Sequence, residues 1–258
     1  MGRTHSGRRF ALNADPTSQA RLLELQGLDS TLDRLDHRRR TLPEAAAVAE
    51  IERRIADAND ALVAARTRDA DLAREQAKVE ADVETVRART ERDQKRLDDG
   101  NVASPRELEN LQSEIASLRR RRSELEDQIL QIMEQREALQ AEIDALSADV
   151  AKLEGERAEL IKRRDQLLAE MDAEAATTKA ARDALAPQLP AELLSLYERL
   201  RASLGGVGAA ALHRGQCQGC HLTLNPADLQ RIRAAAPDEV VRCEECGRIL
   251  VRTPESGL

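Results

Sequence analysis

LENLQSEIASLRRRRSELEDQILQIMEQREALQAEIDALSADVAKLEGERAELIKRRDQLLAEM, residues 108–171, decides the fold. Its apolar residues recur at alternating intervals of three and four. With Leu111 as position d of a heptad, every d is aliphatic, through Leu118, Leu125, Ile132, Leu139, Leu146, Leu153, Leu160 and Leu167. The a positions hold Leu108, Ile115, Ile129, Ile143, Val150 and Met171, interrupted by Arg122, Arg136, Arg157 and Arg164. An unbroken 3.5-residue period makes a left-handed coiled coil. At ~1.5 Å per residue the helix is ~95 Å long. The arginines at a weaken the seam and fix its register.

A second, weaker series with the same spacing runs from Val48 through Ile51, Ile55 and Leu62 to Leu97. Between the two lies DDGNVASPRE, residues 98–107. Gly100 and Asn101 stop a helix. Ser104 caps the next, with Pro105 at its first position and Glu107 three residues after the cap. So short a connection implies an antiparallel hairpin within one chain. Pairing Leu97 with Leu108 sets a register that brings Asp69 to Arg136, a polar pair in the seam. A dimer of extended helices is the rival assembly, so the expected state is monomer or homodimer.

Upstream, Leu25, Leu28, Leu32, Leu35 and Leu42 form another helical stripe, which Pro43 should break. Downstream, the rod fades near Leu185 and stops at Pro187 and Pro190. A short helix, Ala191 to Leu204, leads to a hinge-like Gly205-Gly206-Val207-Gly208. Two β-prone stretches follow, Ala209–Arg214 and Val240–Val251, around a helix capped by Asn225 that runs from Pro226 to about Ala235. The expected class is mainly α. A long antiparallel coiled-coil hairpin occupies residues 16–189, with its turn near 99–104. A helix plus a small domain of short β-strands and one helix fills 190–258. Residues 1–15, basic at Arg3, Arg8 and Arg9, are expected to be a disordered or non-native arm.

Composition agrees. Of 258 residues 34% are charged and 1% aromatic, with no Trp, one Phe (Phe10) and one Tyr (Tyr197). That excludes an ordinary globular core with aromatic fillers. No apolar run approaches ~18 residues, so no membrane-spanning helix is expected. The N-terminus lacks the apolar stretch of a secretory signal. The expected location is the cytoplasm, where cysteines bind metal rather than form disulfides.

All four cysteines lie near the C-terminus, as Cys217-Gln218-Gly219-Cys220 and Cys243-Glu244-Glu245-Cys246. Two residues between cysteines let both sulfurs of a tight turn reach one ion. Two such knuckles give the tetrahedral thiolate set of a structural zinc site. Gly219 and Gly247 suit the positive φ and close backbone approach of a knuckle. Cys217 to His221 also matches the c-type haem attachment pattern, but the second cysteine pair and the absence of an export signal oppose that. Arg214, Arg242 and Arg248 are placed to offset the charge of four thiolates. Four protein ligands leave no open position for substrate, so the zinc is structural. No phosphate loop or nucleophile pattern accompanies His5, His37, His213 or His221. Neither an enzyme nor a small-molecule substrate is expected.

At these residues the chain resembles bacterial coiled-coil proteins ending in a four-cysteine (C4-type) zinc ribbon. The likeness is carried by LLELQGLD (22–29), SPRELENLQSEI (104–115), LPAELL (189–194), YERL (197–200), GQCQGC (215–220) and CEECGRIL (243–250). Glu244 departs from the family's frequent proline and is not a ligand. The resemblance implies a helical hairpin with the ribbon at its base and zinc on Cys217, Cys220, Cys243 and Cys246. It also implies roles in RNA binding, in contacts with an alternative sigma factor, or in secretion and flagellar assembly.

Two binding functions follow. The first is a nucleic-acid (RNA) binding regulator, using a basic collar in which Arg38, Arg39 and Arg40 meet Lys162, Arg163 and Arg164, with Arg119–Arg122 as a second cluster near the turn. The second is a protein–protein adaptor or chaperone for transcription or secretion machinery. Residues 15–204 carry 31 basic and 41 acidic residues, a net charge of −10, which weighs against phosphate and suits basic protein partners, while the resemblance tips the expectation towards nucleic acid. The lack of stacking aromatics weakens single-strand recognition.

Overall fold

A computed structural model describes residues 12–100 and 102–258. The chain forms two compact units, one of residues 44–162 and the other of residues up to 43 together with 163–258.

The unit 44–162 is a hairpin of helix α2 (Pro43–Asp98) against the first part of α3 (Pro105–Leu185). At the turn Gly100 takes a φ of 66°, a left-handed conformation that side chains disfavour. The Glu107 amide donates to the Ser104 hydroxyl at 3.2 Å, and the Glu107 carboxylate accepts from the Ala103 amide at 2.9 Å. Ser104 thus caps α3 and Pro105 opens it, with Glu107 reaching back one residue beyond the cap; Asn101 lies outside the described residues.

Away from the turn the seam is aliphatic. Ile51, Ile55 and Ala58 pack on Leu153, and Leu62 and Ala65 pack on Ile143. Next comes a polar layer, where Arg136 Nε donates to Asp69 Oδ1 at 3.0 Å and its Nη1 donates to Gln76 at 3.0 Å. The expected register is the observed one. Towards the turn, α3 supplies the buried side chains (Leu111, Ile115, Leu125, Ile132), while α2 offers the half-buried Leu72, Val79, Val83 and Val86. Arg89–Glu114 and Arg96–Glu107 bridge the helices outside the seam.

In the other unit, α1 (Pro16–Arg40) starts on Asp15, whose carboxylate accepts from the Ser18 amide at 2.9 Å and the Ser18 hydroxyl at 2.6 Å. These bonds hold the Asp15 carboxyl below its ordinary pKa, the hydroxyl most strongly. The helix ends before Pro43, which takes the first position of α2. Leu35 and Leu42 pack on Met171 of α3. α3 stops at Leu185, and a single 3₁₀ turn (Ala186–Gln188) precedes α4 (Ala191–Ser203). Leu22 and Leu25 of α1 are fully buried against Leu189, Leu193, Tyr197, Ala209, Ile249 and Val251.

The ribbon is a three-stranded sheet in the order β2-β1-β3, built from β1 (Ala209–His213), β2 (Gln216–Cys217) and β3 (Ile249–Arg252). β1 pairs antiparallel with β2 and parallel with β3. α5 (Pro226–Ala234) is capped by Asn225, as expected, and packs Ile232 under Leu212, Leu224 and Leu250. The expected strand over Val240–Val251 is corrected to Ile249–Arg252. Residues before it fold into the second knuckle, since both its cysteines must face one point and a straight strand would send alternate sulfurs to opposite faces.

Residues 1–11 of the basic N-terminal arm lie outside the described residues. The rest of that segment is paired, with the Ala14 amide donating to Asp238 O at 2.7 Å and the Val240 amide to Leu12 O at 2.9 Å. Arg252 braces this loop, donating to the carbonyls of Ala235 (3.0 Å), Ala236 (2.6 Å), Pro237 (3.0 Å) and Glu239 (2.9 Å).

Candidate metal centre

Cys217 sits at the end of β2 and Cys220 in the turn after it, while Cys243 and Cys246 flank the turn before β3. The four sulfurs all lie within 4.8 Å of one another. Cys217 Sγ is 4.0 Å from Cys246 Sγ, and Cys220 Sγ is 4.0 Å from Cys243 Sγ. Zinc–sulfur bonds of about 2.3 Å in a tetrahedron place sulfurs about 3.8 Å apart, so the set fits one zinc ion. The chain carries the C4-type ribbon that holds one structural zinc.

Each knuckle prepares its sulfurs. Burial pushes the Cys217 thiol up, against amide hydrogen bonds from Cys220 and Gly219. Burial likewise pushes Cys243 up to about 12, against amides of Cys246 and Glu245. Cys246 behaves differently. Burial opposes its ionisation, but the Arg248 amide and guanidinium and the Cys243 and Cys220 thiols bring it down to about 7. A bound divalent metal holds all four as thiolates.

The two glycines divide the expected tasks. Gly247 has a φ of 75°. Gly219 does not have a positive φ, and there a Cβ would come within 2.7 Å of Arg248 Cδ and 2.9 Å of Ala210 Cβ, so it serves close approach alone. The left-handed residue of the first knuckle is His221, with φ 61°. Of the three arginines expected to offset the thiolates, Arg248 packs its stem against Gly219 of the first knuckle. Arg242 Nε donates to Gly247 O at 2.7 Å, and the Arg214 amide donates to Glu255 O.

The expected collar residues are exposed or half-buried, and several carry carboxylate partners. Arg39 pairs with Asp172 at 2.6 Å, Arg40 with Asp36 at 2.6 Å and Arg164 with Asp165 at 2.8 Å. Asp172, opposite Arg39, is about two helical turns along α3 from Arg164. Arg38 and Arg163 are exposed in the same unit, and Lys162 belongs to the other. Near the turn, Arg121 pairs with Glu124 and Arg122 with Glu126, both at 3.2 Å.

A polar cluster beside the ribbon went unread in the sequence. Asp29, almost fully buried, accepts from Arg182 Nε at 2.8 Å and from the Tyr197 hydroxyl at 2.7 Å, with Arg201 Nε at 3.5 Å. One turn earlier, Gln26 accepts from the Gly208 amide (2.8 Å) and the Ala209 amide (3.3 Å) and donates to Gly206 O (3.0 Å). It clamps the segment that reads as a hinge. The available signal was the placement of Gln26 and Asp29 on the same helical face as Leu22 and Leu25.

Comparison with known proteins agrees. A family model described as CT398-like coiled coil hairpin domain matches residues 25–205, and one described as C4-type zinc ribbon domain matches 216–250. The chain is 39% identical over 241 residues to the uncharacterized protein Rv2229c of Mycobacterium tuberculosis (strain ATCC 25618 / H37Rv), covering 93% of this chain and 98% of that protein. It is 31% identical over 222 residues to the uncharacterized protein ML1638 of Mycobacterium leprae, covering 86% and 95%. A solved structure from Mycobacterium smegmatis superposes with TM-score 0.84 at 35% identity, covering 94% of this chain and all of that one. The structure of CT398 from Chlamydia trachomatis gives TM-score 0.69 at 20% identity, covering 92% and 98%, a likeness of fold.

Proposed function

This chain belongs to the CT398-like coiled coil hairpin family, and from that premise we propose that it is a protein–protein adaptor, contacting transcription or secretion machinery in the cytoplasm without chemical turnover. Both matched domain types are binding or structural modules, and a four-thiolate centre has no open coordination position. The observation that carries the adaptor reading is charge. Arg39, Arg40 and Arg164 are engaged by carboxylates, and residues 15–204 have an excess of acid. Such a surface attracts basic protein faces and repels phosphate. Among the described residues no helix is long and apolar enough to cross a membrane.

RNA binding is the second reading, favoured by the runs Arg38–Arg40 and Arg119–Arg122. Phosphates would have to displace the carboxylates, and affinity would fall steeply with salt. The test isolates the full-length, zinc-loaded protein from its host with and without nuclease, and titrates the purified protein with RNA at two salt concentrations. The adaptor reading expects the same protein partners after nuclease and negligible RNA affinity. Salt-sensitive RNA binding, lost when Arg38, Arg39, Arg40, Lys162, Arg163 and Arg164 are changed to Glu, would overturn it in favour of the collar.

A further inference from the structure

Arg248 touches more of the ribbon and its support than a charge-balancing residue needs to. Its carbonyl accepts from the Cys243 amide at 2.9 Å, inside the second knuckle. Its stem fills the space left by the missing side chain of Gly219 in the first knuckle. Its Nε donates to Val207 O at 2.9 Å and its Nη2 to Leu204 O at 3.1 Å. Leu204 ends α4, so the fork also satisfies an otherwise unpartnered terminal carbonyl.

The segment held by Arg248 on one side is held by Gln26 of α1 on the other, through Gly206 O and the amides of Gly208 and Ala209. It has little room to adjust. A Cβ on Gly208 would lie 2.7 Å from Tyr197 O, and one on Gly206 would lie 2.8 Å from Asp33 Oδ2. Four consecutive residues, 206–209, are thus held between a side chain packed on the first knuckle and a side chain of the first helix.

We propose that Arg248 makes the four-cysteine centre and the Gln26 clamp one thermodynamic unit, so that metal occupancy and closure of α1 on residues 206–209 favour each other. Arg248 is a positioning residue. Its stem packs on the Gly219 knuckle and its fork pins the linker, and loosening either end costs the other its geometry. Linkage makes the effect reciprocal, so damage at Gln26, which is no ligand, must weaken metal retention.

The test is a double-mutant cycle on full-length, zinc-loaded protein. Zinc transfer to a chromophoric chelator is timed for wild type, Gln26→Ala, Arg248→Ala and the double variant. The proposal expects Gln26→Ala to speed zinc loss several-fold, Arg248→Ala to speed it by on the order of tenfold, and the double variant to match Arg248→Ala. Amide exchange at Gly208 and Ala209 should rise in zinc-loaded Arg248→Ala, with exchange in the Leu35–Met171 seam unchanged. Multiplicative effects on zinc release, or no effect of Gln26→Ala, would overturn the coupling. If Arg248→Ala fails to hold zinc at all, Arg248→Lys keeps the charge without the fork. It should then retain zinc while showing the raised exchange, and wild-type exchange in that variant would equally overturn the proposal.

Discussion

Replacing Asp29 by Ala tests how the helical base is held. The carboxylate is 3% exposed as a side chain, accepts from two donors, Tyr197 and Arg182, and has Arg201 as an ion-pair partner 3.5 Å away. Removing it leaves the fully buried Tyr197 hydroxyl without an acceptor, at about 1.5–3 kcal/mol for a hydrogen bond to a charged group. The two guanidiniums are about a quarter exposed, and Arg182 also has Glu198 and Arg201 also has Asp33, so water and neighbours blunt their loss to about 1–2 kcal/mol together. The expected cost is about 3–5 kcal/mol, in the range for removing one member of a buried ionic cluster. Urea unfolding of the zinc-loaded protein, followed by the near-UV signal of its sole tyrosine, measures it. Tyr197→Phe, followed by far-UV signal, should cost about 1.5–2 kcal/mol, because Asp29 keeps its arginines. A loss below about 1 kcal/mol for Asp29→Ala would refute the reasoning, since the cluster would then be neutral in net effect.

Burial first, and then the Asp29 hydrogen bond and charge, raise the Tyr197 pKa well above its ordinary 10.0. The neutral phenol is the favoured form, so its contribution is complete below about pH 10 and is lost as pH rises towards the folded value. Tyrosinate absorbance should therefore appear only with unfolding in the wild type, and at lower pH in Asp29→Ala. Elemental analysis should find one zinc per chain. Cys243→Ser should lose it and raise amide exchange across residues 209–252, while the 44–162 hairpin keeps its protection. In the seam, Asp69→Leu alone should cost about 1 kcal/mol by leaving Arg136 its Gln76 bond but no counter-charge. Asp69→Leu with Arg136→Leu should be neutral or more stable by about 1 kcal/mol in chemical denaturation.

The hairpin was legible because its determinants are local and periodic. The aliphatic d positions give the helix, Ser104-Pro105 gives its start, and the short turn gives the pairing that brings Asp69 to Arg136. The cysteines were legible because two-residue spacing is a ligand geometry in itself. What escaped were the distant contacts that neither a repeat nor a ligand spacing signals. The parallel pairing of β1 with β3, the filling of Gly219's space by Arg248 and the acceptance of Tyr197's proton by Asp29 leave no periodic trace. The second knuckle shows the limit from the other side. Val240, Val241 and Ile249–Val251 have strand chemistry throughout, and metal geometry overrides it in the middle.

The handshake of Leu12–Ala14 with Asp238–Val240 bears on how the molecule is made. Gln19, at the start of α1, bonds the carbonyl of Pro237, 218 positions onward. At translation rates of about 5–20 residues per second, the first helix waits roughly 10–40 s for that surface to be synthesised. Until then Leu22 and Leu25 have no β-sheet to lie on, and a ribosome stalled before the ribbon leaves them uncovered. A later-made segment thus closes over an earlier-made one, and a chain cut short of the ribbon leaves Leu22 and Leu25 exposed.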